Sequence, residues 1–161
     1  MHTKEEFFQH IKENEGIIYK VTRLYTNSTE DQKDLYQEIV YQLWKSFDSF
    51  KGDSKISTWM YRIALNTAIR HLKKEKRKGT RVSIDNFLLN QIDYVDSVME
   101  ERITLLYAHI KKLSIVEKGI ILLHLEGKSY DDIAAITGFT NTNIGTRLAR
   151  IKQKLKSQIK K

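Results

Sequence analysis

No proline interrupts this chain of 161 residues, and its few glycines fall mostly between stretches where apolar residues recur every three or four positions. That spacing is the helical period, and no long alternating run offers the strand period in its place. A chain so written folds as an all-α protein. The helix starts are spelled out as well. Thr3-x-x-Glu6 and Ser114-x-x-Glu117 carry the reciprocal pattern of a capping box, and Ser129-x-x-Asp132 opens another helix.

The periodicity predicts an opening helix with Phe7, Phe8 and Ile11 on one side, and a second over 16–25 with Ile17, Ile18, Val21 and Leu24 inward. A third runs over 30–47, capped by Ser28 or Thr29, with Leu35, Ile39, Leu43 and Phe47 at every fourth place. "DSFKGDSKIS" reads as a loop, and "STWMYRIALNTAIRHLKKEKRK" as the fourth helix. From 79 to 99 the period weakens and turn residues and acids intervene, which marks a linker containing Phe87, Leu88, Leu89 and Ile92. The period resumes at Ile103 and continues through a helix ended by Gly127 and a short one ended by Gly138. A last long helix, capped by Thr140 or Asn141, has Ile144, Leu148, Ile151 and Leu155 on one face. Two small helical domains follow, 1–79 and 102–161, joined by a linker over 80–101.

Charge and composition narrow the function. A net charge of +8 favours an anionic partner, and the excess is uneven. The first 40 residues hold more acids than bases, whereas 73–81 is strongly basic and 147–161 contains no acid at all. There is no cysteine, which excludes disulfides and thiolate metal sites. The longest apolar run, Gly119 to Leu123, is too short to span a bilayer, and the acidic N-terminus does not read as a secretion signal. A cytoplasmic protein without membrane insertion is expected. The five histidines are scattered without metal-ligand spacing, and no Gly-rich phosphate loop is present. Asp131 and Asp132 read as helix N-terminal charge, and Glu117 as a capping residue. No metal, cofactor or catalytic residue is expected, so the chain is not read as an enzyme.

"SYDDIAAITGFTNTNIGTRLARIKQKLK" has the layout of a helix-turn-helix. Ile133, Ala134 and Ile136 form one helix, Gly138 the turn, and Ile144 and Leu148 anchor the second. That leaves Thr142, Asn143, Thr146, Arg147 and Arg150 outward, where the start of such a helix enters the DNA major groove. Arg pairs with guanine and Asn with adenine through two hydrogen bonds each, while lysines such as Lys154 hold phosphate. The alternative is a helical hairpin with a solvated basic face. In the fourth helix, Trp59 and Tyr61 precede a basic end. Aromatics and cations together suit a strand with unstacked bases, each stacked base contributing roughly 1–3 kcal/mol. A place in the core explains both aromatics equally well.

Three stretches, in order, resemble the extracytoplasmic-function sigma factors, the two-domain initiation factors of bacterial RNA polymerase. "DLYQEIVYQLWKSF" is similar to their clamp-gripping segment, "FKGDSKISTWMYRIALNTAIRHLKKEKRK" to their −10 reader, and "LEGKSYDDIAAITGFTNTNIGTRLARIKQKL" to their −35 reader. The resemblance implies polymerase contacts at Asp34, Leu35, Gln37, Glu38 and Trp44, of which Leu35 and Trp44 serve a core equally well. It implies −10 contacts at Lys51, Gly52, Ser54, Trp59, Tyr61, Arg62 and Asn66, with Lys73, Lys74 and Arg77 along the upstream duplex. Phe50 matches the same segment, and the loop over 51–57 is where the family captures a flipped base. Thr140, Thr142, Asn143, Thr146, Arg147, Arg150 and Lys154 fall in the −35 reader. Implied partners are core RNA polymerase, promoter DNA and an anti-sigma factor, with the chain monomeric when free or so held. The pattern departs at Ile56, Leu65 and Arg70, where aromatic, basic and acidic residues are frequent, at Ser114 for a usual proline and at Gly145 for a usual lysine. The competing reading is a dimeric helix-turn-helix regulator that works without polymerase.

Overall fold

The computed structural model describes residues 3–52, 55–77 and 97–159. Every regular element among them is helical. They form two units, one on either side of residues 78–96. The expected linker over 80–101, with Phe87, Leu88, Leu89 and Ile92, lies outside the described residues up to 96, and its last residues, 97–101, are helical.

The first unit contains α1 (Lys4–Glu13), α2 (Glu15–Tyr25), α3 (Thr29–Ser46), a 3₁₀ turn (Phe47–Ser49) and α4 (Ile56–Arg77). The expected caps form. Thr3 and Glu6 make the reciprocal capping box of α1, and Ser28 rather than Thr29 starts α3, its Oγ accepting from the Asp31 N–H at 3.1 Å. Helices α2, α3 and α4 pack mutually around Ile18, Val21, Leu24, Leu35, Ile39, Leu43, Met60, Tyr61 and Ala64. Two buried polar side chains between α2 and α3 are hydrogen-bonded, which offsets their desolvation. Gln32 Nε2 donates to Thr22 Oγ1 at 3.3 Å, and the Thr26 hydroxyl donates to the Thr22 carbonyl at 2.7 Å. Leu65, one of the departures from the family pattern, faces this core at 4% exposure, which is why an apolar side chain is accommodated there.

An aromatic chain closes one end of the unit. Phe7 of α1 meets Trp44 edge-on at 5.0 Å between centroids and Phe47 at 5.3 Å. Trp59 continues the chain, 6.1 Å from Phe47 and 5.2 Å from Phe50. Tilted and edge-on pairs at such separations add to the burial of the rings.

The second unit contains α5 (Ser97–Lys111), α6 (Ile115–Leu125), α7 (Tyr130–Thr137) and α8 (Asn141–Ile159). Helix α5 begins at Ser97, ahead of the point where the apolar period resumes at Ile103. Ser114 and Glu117 form the second capping box, so the serine that stands for a usual proline starts α6 by a side-chain bond instead. Ile144, Leu148, Ile151 and Leu155 of α8 are all buried, against Ile120, Leu123, Ile133 and Ile136 among others. The predicted inward stripe is the observed one.

Candidate nucleic-acid interface

In the second unit the geometry begins at the turn between α7 and α8. Ser129 Oγ accepts from the Asp132 N–H at 3.1 Å and starts α7. Gly138 ends it at φ 88°, a left-handed conformation that a side chain would strain, and its N–H donates to the Ala134 carbonyl at 2.8 Å. Thr140 Oγ1 then accepts from the Asn143 N–H at 3.1 Å, which makes Thr140 the cap of α8. Asn141 Nδ2 donates to Asp131 Oδ1 across the turn and ties the two helices at their starts. Asp131 is thus occupied in structure, in keeping with its reading as helix-start charge.

Burying Ile144 and Leu148 turns the other face of α8 outward. Thr140, Thr142, Asn143, Thr146 and Arg150 are exposed, and Arg147 is half-buried. Arg147 lies over the Phe139 ring at 4.2 Å, and its Nε donates to Asn143 Oδ1 at 2.6 Å. The two residues named separately for base reading are one hydrogen-bonded pair. Gly145 lies between them in sequence, and a Cβ there would stand 3.4 Å from the Tyr130 ring, at ordinary contact distance.

Lys154 is differently placed from the expectation of a phosphate-seeking lysine. Its Nζ donates to Glu117 Oε2 at 2.7 Å, so it pins α8 to the first turn of α6. Burial alone would raise the Glu117 pKa, but hydrogen bonds from Lys154 and Ser114 and the lysine charge outweigh it and hold the carboxyl below its ordinary value. His124, near the end of α6, is shifted down by burial and by the Lys152 charge.

In the first unit the expected contacts divide. Asp34, Gln37 and Glu38 of α3 are exposed, as are Lys51, Gly52, Arg62, Asn66, Lys73 and Lys74. Gly52 has φ 79°, a turn conformation that favours glycine in the loop before α4. Ser54 and the Arg77 side chain lie outside the described residues. Leu35 is fully buried and Tyr61 is 2% exposed, so both serve the core and neither presents a contact surface. Trp59, 9% exposed, belongs to the aromatic chain. Trp59 therefore braces the loop before α4 through Phe50, Tyr61 packs into the core, and neither is an open stacking platform. The physical reason is that 60, 61, 64, 65 and 68 all fall on the face of α4 turned to the core.

Trp44 resolves the other way. It is 46% exposed and walls a groove of about 570 Å³ between α1 and α3, with Phe7, Phe8, Tyr36, Val40 and Tyr41. Phe8 and Tyr41, each 55% exposed, were not among the predicted contacts. The signal was present, since 37, 41 and 44 recur at helical spacing on the side of α3 opposite the Leu35–Ile39–Leu43 stripe. Burial, and secondarily the Glu15 charge, raises the Tyr36 pKa at this groove, so its hydroxyl stays protonated.

Among the described residues no helix is long and apolar enough to cross a membrane. Two family descriptions match the chain: Sigma-70 region 2 over residues 10–78 and Sigma-70, region 4 over residues 103–155. The ECF RNA polymerase sigma-E factor of Escherichia coli K12 is 30% identical over 141 residues, spanning 80% of this chain and 74% of the relative. The ECF RNA polymerase sigma-E factor of Haemophilus influenzae is 30% identical over 154 residues, 87% and 82% of the two chains. Among solved structures, the sigma factor RpoE in complex with the anti-sigma factor NepR from Bartonella quintana aligns with a TM-score of 0.79 at 20% identity, over 97% of this chain and 98% of that one. CnrH in complex with the cytosolic domain of CnrY aligns with a TM-score of 0.72 at 19% identity, over 98% and 90%.

Proposed function

Because the chain belongs to the extracytoplasmic-function sigma factors of RNA polymerase, we propose that its two units divide promoter recognition between a melted −10 strand and a −35 duplex. Residues 1–79 act as the polymerase- and −10-binding domain, 80–101 as the linker, and 102–161 as the −35 reader. The observation that carries this is the amphipathic split of α8. Ile144, Leu148, Ile151 and Leu155 are buried while Thr142, Asn143, Thr146 and Arg150 are exposed, the arrangement of a helix entering a major groove. Arg147 and Asn143 supply base-edge donors, and Thr140 and Arg150 position the helix on phosphate.

On the first unit, Asp34, Gln37, Glu38 and Trp44 meet the polymerase clamp. Lys51, Gly52 and Ser54 accept a flipped base, beside Trp59 at the start of α4. Arg62 and Asn66 lie on the exposed side of α4 and meet the single strand, and Lys73, Lys74 and Arg77 follow the upstream duplex. The factor favours the open promoter because it binds unstacked bases, so opening is driven by differential affinity for two DNA states. The bond chemistry belongs to the polymerase. The protein acts in the cytoplasm, without a cofactor and as a monomer that an anti-sigma factor holds inactive. The two structural neighbours, each solved with such a partner or with a partner's cytosolic domain, support that last element.

The test is comigration of the purified protein with core polymerase from its own organism, followed by selective opening of a −10/−35 promoter library. Binding and selective opening are expected. A tight, polymerase-independent complex with a palindromic duplex would instead favour the dimeric regulator, a reading the family assignment does not favour.

A further inference from the structure

Three ligand-capable side chains converge at the far end of the contact between α3 and α4. His71 Nε2 and Asp31 Oδ1 are 2.6 Å apart. A carboxylate oxygen of Glu75 joins them, with all three atoms within 4.8 Å of one another. The sequence hides this group, because only one member is a histidine and Asp31 lies 40 positions before it. His71 and Glu75 are four residues apart on α4 and so share a face. Asp31 is held opposite them in the first turn of α3, where its N–H donates to Ser28 Oγ. None of the three is fully exposed; the His71 and Asp31 side chains retain 16% and 28% of their accessible surface.

The interhelical hydrogen bond joins His71 and Asp31, and Glu75, one turn along α4, brings a second carboxylate to the pair. Two carboxylates at this range repel each other, and a cation held between them relieves the repulsion. Among the described residues, the neighbouring groove sets Asp34 and Glu38 from α3 against Arg70 and Lys74 from α4. We propose that Asp31, His71 and Glu75 bind one divalent transition-metal ion of the zinc class, with water in the fourth position. One imidazole nitrogen and two carboxylate oxygens form a usual donor set for such an ion, at about 2.0–2.2 Å each. Ligand atoms around a tetrahedral centre of that radius stand about 3.3–3.6 Å apart. The imidazole and Asp31 need to part by about an ångström or less, and Glu75, already within 4.8 Å, needs to close by about 1.5 Å at most.

The ion ties the start of α3 to the later half of α4. Those helices carry the proposed clamp contacts Asp34 and Glu38 and the proposed strand contacts Arg62 and Asn66. Metal binding thereby stabilises the unit on which both depend, by linkage to the folded state. The site stands on geometry alone and does not rest on the promoter-binding reading.

The experiment is calorimetric titration of the full-length, tag-free protein with Zn²⁺, repeated by absorption with Co²⁺ as a spectroscopic probe. One equivalent should bind saturably, raise the thermal midpoint, and give the Co²⁺ spectrum of a low-coordinate N/O site. His71→Gln, Glu75→Gln and Asp31→Asn should each weaken binding at least tenfold, whereas His124→Gln should leave it unchanged. Circular dichroism of the metal-free variants verifies folding, and Glu75→Gln, which leaves the His71–Asp31 bond intact, answers the question if the other two misfold. No saturable uptake, or uptake that Glu75→Gln leaves unaltered, overturns the proposal.

Discussion

Arg147 Nε donates to Asn143 Oδ1 at 2.6 Å, one helical turn apart on the outward face of α8. The bond uses the one guanidinium donor that is not terminal and the one acceptor of the amide. The terminal guanidinium nitrogens and Asn143 Nδ2 are the donors that remain to be aimed at a base edge. With the guanidinium also resting on Phe139, the pair is ordered before DNA arrives.

Arg147→Ala should therefore reduce −35 discrimination by about 1–3 kcal/mol, the range of a bidentate base contact. Asn143→Ala should lose part of the same energy by releasing Arg147, and the double variant should lose less than the sum. Binding titrations over single-base substitutions of the −35 element test this. Additive losses would mean that the two side chains read DNA independently.

Lys154 and Arg150 occupy the same helix but should differ in their response to salt. Lys154 is paired with Glu117, so its replacement by alanine changes the salt dependence of duplex binding less than Arg150→Ala does. Each phosphate contact removed lowers the slope of log K against log salt by about 0.9. An equal drop for both would show that Lys154 leaves Glu117 for phosphate on binding.

Gly145→Ala should stabilise the second unit. The position is interior to α8, where glycine costs about 1 kcal/mol relative to alanine. The added Cβ meets Tyr130 at 3.4 Å, a contact rather than a clash. A rise in the thermal midpoint is expected, and a fall would mean that the contact with Tyr130 costs more than the helix gains.

In the first unit, Asn66→Ala and Tyr61→Ala separate contact from support. Asn66 is exposed, so its loss should weaken promoter opening and leave both polymerase binding and the thermal midpoint intact. Tyr61 is core, and its truncation should cost about 3–5 kcal/mol of stability, lowering polymerase binding and opening together. Opening assays run beside thermal melts distinguish the two.

Acid should destabilise the second unit in two stages. His124 has a lowered folded pKa, so its contribution is present above the unfolded imidazole value, about 6.5, and is lost as pH falls through the folded value. Glu117 is also lowered; its contribution is present above the unfolded carboxylate value, about 4.3, and disappears below that as the folded group protonates. Denaturant melts across pH should show the first stage removed by His124→Gln and the second by Glu117→Gln.

What was legible in the sequence follows from local chemistry. The caps at Thr3, Ser28, Ser114 and Ser129, the left-handed Gly138 and the inward stripe of α8 each depend on residues within a few positions of one another. The order of three motifs was enough for the family. Site by site the sequence was less sufficient, because a side chain's role depends on which way its helix is turned by partners far along the chain. Packing among α2, α3 and α4 decided that Leu35 and Tyr61 face inward and that Trp44 does not. Packing alone joined Phe7, Phe47 and Trp59 into a brace, took Lys154 to Glu117 across 37 residues, and brought Asp31 to His71 across 40. Capping and periodicity are properties of a few consecutive residues and can be read in one dimension. Burial, ion pairing and ligand convergence are properties of distances between elements, which exist only once the chain has folded.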